Sequence, residues 1–187
     1  MKKTVLMFGL IAGAILSLTM LITVPFQDAI GFDRGVVIGY TSMVVAFLLI
    51  FFGIRSYRDN VGGGSVSFGR AFSVGALIAV VAALCYVVTW EVVYFNFRSD
   101  FLAKYQAHAI EKARAGGASQ AEIAKKVAEM QRFAVLYQNP LINSAVTFLE
   151  PLPVGLIIAL VSAGVLSRKR RRERVGNSVD VGATAVG

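Results

Sequence analysis

The sequence predicts an all-α polytopic membrane protein with four transmembrane helices and an amphipathic helical insert between the third and fourth. Three observations carry this. Of 187 residues, 56% are hydrophobic and 16% charged, where a soluble domain carries about a quarter charged. The deficit is concentrated in four apolar stretches of roughly twenty residues, the number that crosses about 30 Å of hydrocarbon at 1.5 Å per residue. Short charged patches separate the stretches, and the last runs into Arg168-Lys-Arg-Arg-Arg-Glu-Arg174.

The first span covers about residues 4–24, after Lys2-Lys3, and Pro25, Gln27 and Asp28 close it. A basic start before an apolar run also describes a signal peptide, whose apolar region is about 7–15 residues. This run has full membrane length and reads as an uncleaved span. The second span is 35–54, ended by Arg55, Arg58 and Asp59. A Gly62-Gly-Gly64 loop follows; it lacks the Gly-Lys-Ser/Thr ending of a phosphate-binding loop and reads as a turn. Ser67 is placed to cap the third span, 71–94. Trp90, Tyr94 and Phe95 there read as an aromatic belt at the membrane interface.

Residues 98–139 differ in kind. They are rich in Ala, Lys, Glu and Gln, all helix formers, and break at Gly116-Gly117. Ser119-Gln-Ala-Glu122 has the pattern of a capping box opening a second helix. Ile123, Val127, Met130 and Tyr137 then fall on one apolar stripe, the predicted face toward a protein partner or lipid. The same stripe also suits packing against the other half of an αα-hairpin. The last span, 150–167, begins at Glu150-Pro-Leu-Pro153, because proline is tolerated in a first helical turn. Residues 141–149 read as a short interfacial segment. The four-helix domain thus ends near residue 169, and 170–187 is a basic, then small and polar, disordered tail.

Positive charge marks the cytoplasmic face. Lys2, Lys3, Arg55, Arg58, Arg70 and the basic run share one side, so both termini are expected inside and the insert outside. Against this stand seven Lys and Arg between Arg98 and Arg132 in the insert, diluted by Asp100, Glu111, Glu122 and Glu129. Arg168, Lys169, Arg170, Arg171, Arg172 and Arg174 read first as a topological anchor and second as contacts to anionic lipid. The net charge of +8 is better explained this way than by nucleic acid, which is not expected as a partner.

Glu91 and Glu150 are the acids attached to apolar stretches, where buried acids are functional suspects. Counted from Arg70 and back from Arg168, they lie roughly 30 Å and 27 Å along their helices. Both are therefore expected at the outer interface as structural acids, with a proton-sharing or cation-holding pair as the second reading. His108 is the only histidine and Cys85 the only cysteine, so no metal cluster, disulfide or cofactor site is expected. Gly9-x-x-x-Gly13-x-x-x-Ser17 and Gly155-x-x-x-Ala159-x-x-x-Ala163 present small faces, as do Gly75 and Ala79. Such faces let helices approach closely, within the chain in preference to a homo-oligomer seam.

Several strings together resemble a known family. They are Lys2-Lys-Thr-Val, Gly39-Tyr-Thr-Ser-Met43, Ser67-Phe-Gly-Arg-Ala-Phe72, Gly117-Ala-Ser-x-Ala-Glu-Ile123 and Phe148-Leu-Glu-Pro-Leu-Pro-Val-Gly155. In this order, over roughly residues 1–169, the chain resembles the bacterial membrane proteins grouped as domain of unknown function 4199. The resemblance implies a multi-pass inner-membrane protein with four helices and an insert between the last two; it implies no activity. With no nucleophile, base or metal set, the residues point to a non-enzymatic protein acting through assembly or partner and lipid binding by the insert. The alternative is a small oligomeric transporter or channel subunit using Glu91 and Glu150.

Overall fold

A computed structural model of the chain describes residues 1–167, and every regular element among them is helical. The first crossing is α1 (Lys2–Thr23), which a 3-10 turn at Val24–Phe26 and the short α2 (Gln27–Ile30) extend. Pro25 tightens this turn because it has no N–H for the α ladder. Next come α3 (Phe32–Asn60), α4 (Phe68–Phe97), α5 (Phe101–Ala115), α6 (Gln120–Tyr137), α7 (Pro140–Leu149) and α8 (Leu152–Ser167). Four helical stretches are long and apolar enough to cross a membrane: 2–30, 32–60, 68–97 and 140–167. The chain is a four-span all-α membrane protein with two further helices, α5 and α6, between its third and fourth spans.

Small residues set how the spans pack. A Cβ on Gly13 would stand 2.6 Å from the Cys85 Cβ, and one on Gly9 2.7 Å from that of Val81. Ser17 accepts a hydrogen bond from Thr89 at 2.8 Å, one turn further on. This constant offset makes α1 and α4 parallel neighbours. On another face of α4 the order reverses: a Cβ on Gly155 would meet Ala79 at 2.7 Å, and one on Gly75 would meet Ala159 at 2.8 Å. α8 is therefore antiparallel to α4, and both small faces are occupied within the chain. α3 completes the bundle, with Phe47 touching the Gly155 position and Ile50 and Ile54 the Gly75 position. Phe47, Ile50, Ile54, Val74 and Ile78 are fully buried between the spans, so α4 is the central helix. Outward faces are apolar too: Leu10, Leu18, Val37, Leu48, Val88 and Val161 are all more than half exposed. Lipid suits such a surface and water does not.

A second buried cluster lies at the insert end. Met20, Val24, Trp90, Val93, Tyr94, Leu102 and Tyr137 pack there, with Phe101 and Ala134 against them. α5 and α6 form a hairpin turned at Gly117, whose φ of +81° favours glycine. The capping box at Ser119 is formed as its pattern predicts: Glu122 N–H donates to Ser119 Oγ, and Ser119 N–H to Glu122 Oε2. Ser67 sits at the α4 N-cap, but its hydroxyl makes no capping bond.

Two expectations need correction. Residues 140–149 do not form a separate interfacial segment. They are helix α7, which packs on α4 and leads into α8, so that 140–167 forms one broken apolar stretch long enough to cross a membrane. The break falls at Glu150-Pro151 because the proline ring excludes the carbonyl four residues back and offers no N–H. The aromatic belt is not formed as expected either. Trp90 and Tyr94 are 7% and 5% exposed, covered by the insert, and Phe95 alone of the three faces outward. The basic residues Arg168, Lys169, Arg170, Arg171, Arg172 and Arg174 lie outside the described residues.

Candidate functional site

Where α3 and α7 part, the insert-side half of the bundle holds a cavity of about 540 Å³. Its inner end is formed by Leu16, Met43, Gly39, Tyr86 and Glu150, its walls by Thr19, Thr23, Gln27, Tyr40 and Ser42, and its roof by insert residues Phe101, Leu102, Tyr105, Phe133 and Tyr137. Eight of the 22 lining residues are aromatic, and none is Lys, Arg or His. The size is that of a small-molecule site, and so is the chemistry, an apolar wall with a few polar groups. Gly39 opens the α3 side: a Cβ there would meet nothing within 4 Å. Val36, Tyr40 and Val146 at the same gap are exposed.

Glu150 owes its place to the helix break. α4 and α7 run antiparallel, so Tyr86 stands level with Glu150 and Glu91 level with Ser144. Tyr86 donates its hydroxyl to Glu150 Oε2 at 3.3 Å, and Ser144 donates to Glu91 Oε1 at 2.8 Å. Tyr86 is the one hydrogen-bond partner of Glu150 among the described residues. The two acids are about five residues apart along α4, roughly 7.5 Å, and each is held by a different hydroxyl. They do not meet as the pair of the second reading would require. Glu150 is exposed and lines the cavity; it falls ten residues into the apolar helical stretch 140–167, whereas the count back from Arg168 places it at the start of the span. Glu91 lies outside the cavity.

A buried polar network fixes the roof. Trp90 Nε1 donates to Tyr137 Oη at 2.9 Å. The same hydroxyl lies 3.5 Å from Thr147 Oγ1. Thr147 donates to Asn143 Oδ1 at 3.3 Å, and Asn143 Nδ2 donates to the Tyr137 carbonyl at 3.3 Å. Asn143 is completely buried, and its polar atoms are satisfied as burial requires. Burial pushes the Tyr137 phenol up, so it remains a neutral hydroxyl. One loop of bonds thus joins the ends of α4, α6 and α7.

The outer edge of the roof is held by charge. Lys104 Nζ lies 2.7 Å from Asp28 and 3.0 Å from Asp100, and Arg98 lies 3.7 Å from Asp28. Lys112 reaches Asp33 at 2.7 Å, with His108 3.5 Å from the same oxygen. The His108 ring stacks on Phe32 at a centroid distance of 5.3 Å. Three of the seven insert Lys and Arg therefore bind the acids of the loop between the first two spans.

The predicted partner stripe faces inward. Ile123 and Tyr137 are 7% and 8% exposed, and Val127 and Met130 are half-buried. The Met130 carbonyl accepts from Gln106 of α5 at 2.6 Å. Of the stripe, Tyr137 lines the cavity roof, and Val127 and Met130 keep part of their surface exposed. The sequence reading missed Gly39, Tyr40, Tyr86, Phe101 and Tyr105. Aromatic density on both sides of residue 100 was the available signal, but it carried no information on which rings converge.

No group of three or more His, Cys, Asp or Glu suited to a metal occurs among the described residues. No curated protein and no solved structure matches the chain. A family model, described as protein of unknown function (DUF4199), matches residues 7–168, and the chain belongs to that family.

Proposed function

We propose that this protein is a non-enzymatic membrane binding protein that takes an amphipathic small molecule from the bilayer into the cavity beneath its insert. The observation that carries this reading is the cavity of about 540 Å³ at the parting of α3 and α7. Its open side meets lipid-facing apolar residues and its closed side is aromatic. The insert acts as lid and binding surface, a role in lipid binding that needs no partner protein on its buried stripe. The bilayer is the bacterial cytoplasmic membrane. Both termini are cytoplasmic and the insert is outside, as the basic residues flanking the inner ends of the spans favour.

Trp90, the only tryptophan, lines this cavity and reports its occupancy. In phosphatidylcholine nanodiscs a brominated long-chain alcohol is expected to quench Trp90 saturably. Gly39→Phe, which fills space that is empty in the native protein, is expected to abolish the saturable part with thermal stability unchanged. Quenching that is linear and equal in both variants would overturn the proposal.

A carrier is the second reading, favoured by the break at Glu150-Pro151 inside the fourth crossing, since interrupted helices commonly build transporter sites. It requires ligand-dependent exchange across vesicles that Glu150→Gln abolishes. Binding without such exchange leaves the binding-protein reading alone.

A further inference from the structure

We infer that the ligand of this cavity is a cationic amphiphile, an organic ammonium on an apolar body, with Glu150 as the counter-charge at its inner end. The inference rests on the proposed binding role and adds the chemical class of the ligand. A carboxylate that faces a cavity between transmembrane helices is costly unless a positive charge compensates it. Among the described residues the chain supplies none: no Lys, Arg or His lines the cavity, and the nearby insert cations Arg98, Lys104 and Lys112 are engaged at its edge by Asp28, Asp33 and Asp100. Tyr86 occupies one Glu150 oxygen at 3.3 Å with a neutral hydroxyl and adds no charge. The lining is also rich in rings, including Tyr40, Tyr86, Trp90, Tyr105, Phe133 and Tyr137. Aromatic faces attract ammonium groups, and more strongly away from water. An anionic headgroup would meet the carboxylate with no cation to offset it, and a neutral one would leave the carboxylate uncompensated. The apolar portal at Val36 and Val146 then takes the hydrocarbon part, which emerges into the bilayer.

The experiment compares brominated chains of one length bearing alcohol, primary ammonium, trimethylammonium or carboxylate heads, read by Trp90 quenching in neutral phosphatidylcholine nanodiscs. At least one ammonium head is expected to bind tenfold or more tighter than the alcohol, with the carboxylate weakest. Primary ammonium tighter than trimethylammonium assigns the contact to hydrogen bonds at Glu150; the reverse order assigns it to the aromatic faces. Glu150→Gln is expected to remove the preference while alcohol binding persists, and comparison in one membrane cancels differences in partitioning. Tyr86→Phe keeps the carboxylate and is expected to keep the preference, so a misfolded Glu150→Gln protein does not decide the matter. Saturable alcohol binding with no ammonium preference overturns this inference and leaves the binding role standing. No saturable quenching by any head overturns both.

Discussion

Trp90 in α4 donates its indole N–H to the hydroxyl of Tyr137 in α6 at 2.9 Å, across 47 residues of sequence. That bond fastens the insert to the central helix. Tyr137→Phe leaves the indole N–H buried without an acceptor and breaks the link to Thr147. A loss of about 1–2 kcal/mol is expected, the usual cost of stranding a buried donor. Thermal unfolding in detergent measures it, and a red shift of Trp90 emission reports the loosened roof. Unchanged emission with unchanged stability would show that the bond does not hold the lid.

The close approach of α8 to α4 makes a second prediction. A Cβ on Gly155 already falls 2.7 Å from Ala79 and 3.2 Å from the Phe47 ring, so Gly155→Val must push α3, α4 and α8 apart. Overpacking of this kind typically costs about 1–3 kcal/mol. Gly39→Ala adds a methyl where nothing stands within 4 Å and is expected to leave stability unchanged. Equal melting temperatures for the two variants would contradict the packing described.

Charge at the edge of the roof gives a pH dependence. Hydrogen bonding to Lys104 lowers the Asp100 pKa below its ordinary 3.8. Its contribution is therefore complete above 3.8 and is lost as pH falls through the lowered folded value. Hydrogen bonding to Asp28, and then to Asp100, raises the Lys104 pKa above its ordinary 10.5. That contribution is complete below 10.5 and is lost as pH rises through the raised folded value. The protection of α5 amides, exchange corrected for its intrinsic pH dependence, is accordingly expected to be flat across neutral pH and to fall in strong acid and strong base. The groups are exposed, so salt should weaken the same contacts at pH 7. Exchange that ignores both salt and Lys104→Met would remove these ion pairs from the account.

Sidedness is tested in a Cys85→Ala background. Gln120→Cys, in the exposed first turn of α6, is expected to react in intact cells with a thiol reagent that does not cross membranes. Gly63→Cys, in the loop between α3 and α4, is expected to react only after lysis. The reverse pattern would invert the proposed orientation and place the cavity roof in the cytoplasm.

Much of the architecture was legible in the sequence because it depends on local quantities. Charge-free length marked the four spans, and the capping box and Gly116-Gly117 marked the break between α5 and α6, but not that the two helices pack as a hairpin. Spacing of small residues gave the faces on which α1 and α8 meet α4. The fourth crossing was misjudged because proline suits a first helical turn and a mid-span break equally well. Residues 140–149 had to pack on α4 before the choice between them was made. That one choice also moved Glu150 from the interface into the cavity.

The sequence by itself determined membrane residence, the number of spans and the existence of an amphipathic insert, since each follows from hydrophobic length and period along a single segment. Tertiary structure decided where the insert stripe points, that Glu91 and Glu150 bind different hydroxyls, and that a carboxylate and a ring-lined cavity share one place. Those facts depend on register between segments far apart in sequence, Tyr86 with Glu150 and Trp90 with Tyr137. Register of that kind is fixed by interhelical packing, which no local pattern encodes.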